Sequence, residues 1–571
     1  MLNWLCLLAL TTIPASGDDA SLAARLPAGA IGYAEIVSFK PLADQFPVED
    51  WRKVIENSKQ YKQFRNSPQY QQFQAGKQIV AGVLGYDFDT LVQRLLSTKV
   101  AVAVYPREGN PQPGLLVVVK YSDRELWAKL RTQIEAWSSL AAAGKMKRET
   151  VAGRQLVSLD DKAFYFTEAD LFVASNEKKL LEAASPLLAG KGGQALADDS
   201  SFKTAAANGA TGNVVRFFFD SEKTRNLLKR DRWAPAQVDN FVATLLLQDV
   251  IELGATSKSV VGGINVEGKK VSLVVSVPGN PNRLGESYKG FLLDPKASGA
   301  TIAPKVKGYM AGIVIHRDIK ELYQQREKLL LAEVQPKFDQ FESGINNLVP
   351  GKNFTEDLLP MLGKQLTFIA ARQDFAERAG KPAIKLPAFA MVAELSKPKE
   401  GGDFLQMLFQ AIVPIMNFQI KENGGQPQLL AMDKHNGIDL TFARPLMETK
   451  GDRLPLVHNF QFCAATVGER YILATSRQLC EGLIDAYKVP SLPKADGRNI
   501  IFDWNPAQVA ESLYENVDLL TANGVKEGKP AAQAKEEATL FIEALKTISG
   551  AELATQVRPD DFQIRLEWTW K

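Results

Sequence analysis

Two aspartates stand where enzymes often place a working carboxylate. Asp220 ends the apolar stretch NVVRFFFD and Asp503 ends RNIIFD, each just before a helix start marked by Ser221 or by Asn505-Pro506. A carboxylate at such a strand end can serve as general acid, general base or nucleophile, and two of them suffice for glycoside hydrolysis. The same position also calls for a helix cap, which Asp provides by accepting free backbone N–H groups. Catalysis and capping both remain open for Asp220 and Asp503. Asp87 with Asp89, and Glu356 with Asp357, also stand at helix starts, where the helix dipole alone accounts for them.

Other chemistry is scarce. Of the three histidines, His316, His435 and His458, only His458 stands within five residues of a Cys, Cys463, and no second such pair accompanies it, so no metal site is expected. No GxSxG elbow, HExxH helix, Walker loop or strand-coupled GxGxxG occurs, and no cofactor is expected. Cys463 and Cys480 are the thiols outside the N-terminal leader; they could form a disulfide, or simply be two small buried side chains.

The elements that carry these residues are written twice. RYILATSRQLCEGLIDAY (470–487) reads as strand, Thr-Ser helix start and amphipathic helix, and DLFVASNEKKLLEAASPLL (170–188) reads the same way. Seven further landmarks recur in order. Among them, DTLVQRLLSTKVAVAVY is answered by EDLLPMLGKQLTFIAAR, LLVVVKYS by FAMVAELS, the turn Ala152-Gly153 by Asn436-Gly437, Asp220 by Asp503, and IELGATSKS by ISGAELATQ. Collinear recurrence predicts a tandem duplication: a signal peptide at 1–17, a first α+β unit at 18–290 and a second at 291–571. The boundary should fall within 278–305, where Pro, Gly, Asn and Ser concentrate. Aligning Ala174-Ser175 with Ala474-Thr475 makes Ala163 and Leu180 the counterparts of the two cysteines, so the fold should close without a bridge.

Strict alternation of Phe562, Ile564, Leu566, Trp568 and Trp570, and of Val271, Leu273, Val275 and Val277, predicts strands with one dry face. A stripe of Leu126, Leu130, Ile134 and Trp137 suits a helix that covers such a face. Hairpin-linked strand pairs make the expected class α+β, with mainly antiparallel sheet covered by helices on one face.

The N-terminus has a short apolar run, Trp4 to Leu10, followed by Ala15-Ser16-Gly17, the pattern of a cleaved export signal with Asp18 as the mature start. That run is too short to span a bilayer, and no other segment is apolar enough to do so. A net charge of +3 is too small over 571 residues to build a phosphate-seeking surface, so nucleic acid is not an expected partner. Residues 51–78 mix Lys and Arg with Gln and aromatic side chains. This suits a polyanion- or glycan-facing surface, or two helices whose aromatic residues pack inward.

LPAGAIGYAEI at 26–36, Trp51, SPQYQQF at 67–73 and DFDTLVQRLLSTKVAVAVY at 87–105 together resemble a family of exported bacterial proteins, found mainly in planctomycetes, that carry a domain of unknown function. The second unit departs from that pattern, with Met310-Ala311 in place of Ala34-Glu35 and no counterpart of Trp51. The resemblance implies an extracytoplasmic protein and brings no catalytic residues with it. The expected function is non-enzymatic binding or scaffolding of an unknown component of the cell envelope. A carboxylate-dependent extracytoplasmic hydrolase and a periplasmic carrier of an apolar ligand are the competing readings.

N-terminal sequencing of the protein recovered from the periplasm of a bacterial host is expected to start at Asp18; a product that still begins at Met1 overturns the cleaved leader.

Overall fold

Twenty strands form one large sheet in which every pairing is antiparallel. A computed structural model describes residues 21–571 other than 97, 108, 111, 142–145, 152, 169, 209–211, 235–239, 377, 379, 423–425, 448 and 490–495. The leader at 1–17, and Ala152 of the first hairpin turn, lie outside the described residues.

The first ten strands are β1 (Gly32–Ile36), β2 (Thr98–Tyr105), β3 (Gly114–Tyr121), β4 (Met146–Val151), β5 (Arg154–Leu159), β6 (Ala163–Glu168), β7 (Leu171–Ser175), β8 (Val215–Asp220), β9 (Ser259–Glu267) and β10 (Lys270–Pro278). The next ten are β11 (Tyr309–His316), β12 (Leu362–Ala371), β13 (Ala388–Leu395), β14 (Gln428–His435), β15 (Ile438–Pro445), β16 (Cys463–Val467), β17 (Arg470–Ala474), β18 (Arg498–Trp504), β19 (Ile548–Val557) and β20 (Asp561–Trp570). In space the first set runs β4-β5-β6-β7-β3-β2-β1-β8-β9-β10. The second runs β14-β15-β16-β17-β13-β12-β11-β18-β19-β20. The order is the same in each, strand for strand. β10 and β20 then pair with one another, so the two sets form one continuous sheet.

Helices cover both faces of this sheet, which corrects the one-face expectation. In the first half α1 (Arg124–Ala141) packs Trp127 against Val100, Val119 and Phe172, with the Trp127 ring stacked 4.2 Å from Tyr121. On the opposite face α2 (Lys178–Leu188) packs Leu181 and Ala184 against Ala101, Val118 and Val173. Neighbours in sequence such as Val118 and Val119 thus go to different cores. α6 (Pro398–Glu422) and α7 (Arg477–Lys488) repeat the arrangement, α6 on Ala443, Ala464 and Tyr471, and α7 on Val392, Ala465 and Ile472. The signal was present in LLVVVKYS, since a strand buried on both faces reads as an uninterrupted apolar run and not as an alternation.

The stretch between β10 and β11 is packed. Phe291 is fully buried and, with Leu293, joins Leu253 of α5 (Phe241–Thr256) and Leu322, Val557 and Phe562 in one cluster. A buried ion pair crosses the same seam: the Arg317 guanidinium lies 2.9 Å from the Asp249 carboxylate, with both side chains almost wholly inaccessible. Arg317 also donates to the Phe291 and His316 carbonyls. Burial pushes the Asp249 carboxyl upward and Arg317 restrains it. Removing one partner leaves a charge without water or counter-ion, whereas replacing both with apolar groups does not.

Arg317→Met alone is therefore expected to lower unfolding free energy by about 3–5 kcal/mol in urea titrations. The Asp249→Leu/Arg317→Met double variant should recover most of that loss; equal losses in the single and double variants would show that the pair itself stabilises the seam.

Candidate functional site

The cavities lead to the end of β18. There, in the second half, lies a cavity of about 650 Å³. Its floor is the sheet, and three carboxylates lie in a row across adjacent strands. Asp503 of β18 faces Glu552 of β19, which faces Glu567 of β20. Directly opposed residues in antiparallel strands project to one side with Cβ atoms about 4.5–5.5 Å apart. Like charges at that spacing repel by about 3 kcal/mol per pair at an effective dielectric near 20, so the row needs counter-ions.

Each carboxylate has one. Lys305 and the Tyr309 hydroxyl hold Asp503, the latter donating at 2.7 Å. Arg498 donates to Glu552 at 2.5 Å. Lys270 lies 2.6 Å from Glu567, with Arg565 at 3.3 Å on its other oxygen. Burial, followed by the charge of Asp503, drives the Tyr309 phenol far above its ordinary range, so it stays a hydrogen-bond donor. Burial likewise raises the Glu552 carboxyl; Arg498 opposes the rise, and Glu567 and Asp503 add to it. Gly312 faces Asp503 on the other neighbouring strand, and a Cβ there would collide with the Tyr309 hydroxyl. Its missing side chain is what lets Tyr309 reach Asp503.

A cavity of about 830 Å³ takes the matching place in the first half. Asp220 caps α4 (Ser221–Leu227) there as Asn505 caps α8 (Pro506–Tyr514). The Asp220 N–H donates to Ile31 and the Asn505 N–H to Met310, so the two caps are counterparts. Lys223, Lys258, Ser259 and Pro278 line this cavity where Gln508, Ser549, Gly550 and Thr569 line the other. The row two residues back from the cap is Tyr33, Phe218, Val261 and Ser276 in place of Gly312, Asp503, Glu552 and Glu567. Phe218 and Val261 are core residues. The helix α3 (Ser200–Asn208) packs over β8, β9 and β10, and Phe202 meets Phe218 edge to face at 5.2 Å. In the second half no counterpart of α3 packs over β18, β19 and β20 among the described residues, and between α7 and β18 the chain has only residues 489–497 where the first half has 189–214 between α2 and β8.

The two aspartates read from the sequence are thus not brought together. Asp220 is a cap: it accepts from the Lys223 N–H at 2.8 Å and from Ser201 at 3.1 Å, and pairs with the Lys223 ammonium. Its neighbour Asp199 is held down at about 2; burial opposes this, but hydrogen bonds from Ser201 and Lys223 outweigh it. The match of Asp220 with Asp503 is off by two residues: Asp503 answers Phe218. Sequence reading missed Glu552, Glu567, Lys305 and Tyr309. Phe64 and Phe73, expected to pack inward, are 43% and 49% exposed and touch Tyr70 and Phe88 instead.

Cys463 and Cys480 are brought together as free thiols, both fully buried in one apolar cluster. Contact with Cys463, together with burial, pushes the Cys480 thiol well above the ordinary range. Their counterparts are Phe164 and Leu181, one residue beyond those expected. Phe164 faces Ser175 as Cys463 faces Ala474, and Leu181 and Cys480 each lie three residues into their helix.

No family model matches the chain, and no curated protein matches it. Among solved structures, two crystal forms of a protein designated TP0453 are similar at 12% identity and a TM-score of 0.22. Each covers 46% of this chain, and 81% or 79% of its own length is covered.

Thiol titration of the mature chain with Ellman's reagent is expected to find no reactive group in the native state and two after unfolding without reductant. None in either state would mean that the pair is bridged.

Proposed function

We propose that this chain is an exported, non-enzymatic binding protein of the cell envelope, built from a duplicated α+β unit, whose second half binds a hydroxyl-rich ligand such as a saccharide. One observation carries the reading: at matching places in one strand order, the first half has a sealed apolar core and the second an open floor of ion-paired carboxylates. Carboxylates held by Lys305, Arg498 and Lys270 are fixed acceptors with their charge compensated, suited to neutral hydroxyl donors. Gln508 adds a buried side-chain oxygen with no hydrogen-bond partner at the cavity wall. The matching strand order and the two cavities at corresponding strand ends support the duplication, and the leader and the family resemblance support export. These two cavities and a third lined by Lys307, Arg372 and Lys385 carry charged side chains, an unfavourable lining for an apolar cargo.

A second reading has its own observation. Glu552, with its proton affinity raised, sits directly across from two further carboxylates, the pairing of acids that glycoside hydrolysis requires. On that reading Glu552 is the acid, and Asp503 or Glu567 the partner.

One experiment separates the two. The full chain is incubated with maltotriose, cellotriose and chitotriose, and with their p-nitrophenyl glycosides, while binding and p-nitrophenol release are followed. Binding of at least one trisaccharide without release is expected, weakened at least tenfold in Asp503→Asn/Glu552→Gln. Release that Glu552→Gln abolishes would replace binding with hydrolysis, and no binding of any sugar sinks the saccharide reading.

A further inference from the structure

A smaller cavity of about 430 Å³ adjoins the carboxylate floor, with Gly308 and Gln508 lining both. Its character is opposite. Lys307, Arg372, Lys381 and Lys385 line it, against the two carboxylates Asp374 and Glu515. Lys307 pairs with Asp374 at 3.2 Å and Arg372 with Glu515 at 2.9 Å. Lys381 and Lys385, both half-buried, have no anionic partner among the described residues. Among the described residues, two positive charges are left without a paired anion in a concave site that shares Gly308 and Gln508 with the neutralised floor.

The lysines arrive on an addition peculiar to this half. β2 passes to β3 through residues 106–113, while β12 reaches β13 through 372–387. The added chain is held from several sides. Asn516 both accepts from the Lys385 N–H, at 2.9 Å, and donates to the Lys385 carbonyl, at 2.8 Å. The fully buried Asn459 does the same one residue to either side, donating to Ile384 and accepting from Leu386. Gln373 donates to the Leu386 carbonyl, and a short parallel pairing of Gly380–Pro382 with Gly451–Leu454 anchors the start. Side-chain amides that mimic strand pairing on both edges of Lys385 fix its backbone before any ligand arrives, so little ordering cost remains for binding. A solvated loop carrying lysines for solubility alone has no need of two amide clamps.

Resting on the saccharide reading above, we infer that the ligand is acidic: it carries a carboxylate or phosphate that Lys381 and Lys385 hold, while its hydroxyls lie along Asp503, Glu552 and Glu567. Lys307 and Arg372 flank the oxyanion, and the orphan Gln508 oxygen at the junction accepts from a hydroxyl beside it.

The test compares glucose, glucuronate and glucose 6-phosphate on the full chain by titration calorimetry at matched ionic strength, with orthophosphate as a further arm. At least one acidic sugar should bind ten times or more tighter than glucose. Lys381→Ala/Lys385→Ala should bring that affinity down to the level of glucose, and Lys258→Ala, in the first-half cavity, should leave it within twofold. Which acid binds better tells phosphate from carboxylate. Acidic and neutral sugars binding alike, or a double variant that binds as the wild type does, overturns the inference while leaving neutral-sugar binding as evidence for the floor. Orthophosphate binding as tightly as the acidic sugars overturns it too, because the floor would then contribute nothing.

Discussion

Nine residue pairs between β10 and β20 determine how the rest of the molecule is arranged. These two strands occupy the same place in the two strand orders, and they pair antiparallel with Val274 against Arg565. Two equivalent strands joined in this way are related by a local twofold through the middle of the ladder. One side of the ladder is apolar, with Val271 on Trp568, Leu273 on Leu566, Val275 on Ile564 and Val277 on Phe562. The other side carries Ser272, Glu567, Arg565, Ser276 and Gln563. Each set of ten strands would otherwise expose a long edge with an apolar face, and pairing the two edges removes both liabilities at once. The cost is independence: clusters holding Leu253 with Phe562, and Val271 with Trp570, draw on both halves.

Within that frame the halves differ where a cover is present or absent. α3 and the N-terminal turn at Leu22–Arg25 press Leu22, Ala23 and Phe202 onto the first floor, and under a cover only apolar residues are inexpensive to bury. With no counterpart of α3 over it among the described residues, the second floor keeps some exposure, 13% at Asp503 and 28% at Glu552, and carboxylates become tolerable if each finds a cation. The cover and the apolar residues Phe218 and Val261 thus go together in the first half, as the uncovered floor and its acids do among the described residues of the second. Glu35 shows the alternative: 1% exposed under the first cover, it needs Ser21, Tyr33 and the Leu22 N–H all donating to it.

Much of this was legible in the sequence, and the failures have physical causes. Landmarks inside regular strands were aligned to the residue: the hairpins of β4 and β5 and of β14 and β15, the β2 and β12 pair, and the β3 and β13 pair all keep the register read from their letters. Alignment slipped at strand ends, where Ser175 and not Ala174 answers Ala474. The Asp220 match pairs two aspartates that each follow an apolar run, but the second strand continues one residue further, to Trp504, and the match is off by two. IELGATSKS was matched to ISGAELATQ because both begin with Ile and a small-residue turn. The first begins inside α5 and the second begins β19, so that match is wrong. The alternation of Phe562 to Trp570 puts Glu567 on the opposite face, but alternation along one strand says nothing about which residue lies across on the next. The carboxylate row is a property of register between strands far apart in sequence, and no single-strand pattern contains it.

The ladder and the site also depend on one another. Of the four cations that neutralise the row, Arg498 and Arg565 come from the strands that carry it, and Lys305 comes from the packed stretch after β10. Lys270 comes from the other half, at the first position of β10, opposite Thr569. Glu567 therefore has its closest counter-ion only when the two strand sets are joined, and the row has one carboxylate poorly compensated when they are not. Electrostatics at the floor favours the joined sheet, and the joined sheet supplies the charge that makes the floor habitable. A second half folding alone would lose Lys270, so the acidic row ties the two sets together from the polar side of the ladder.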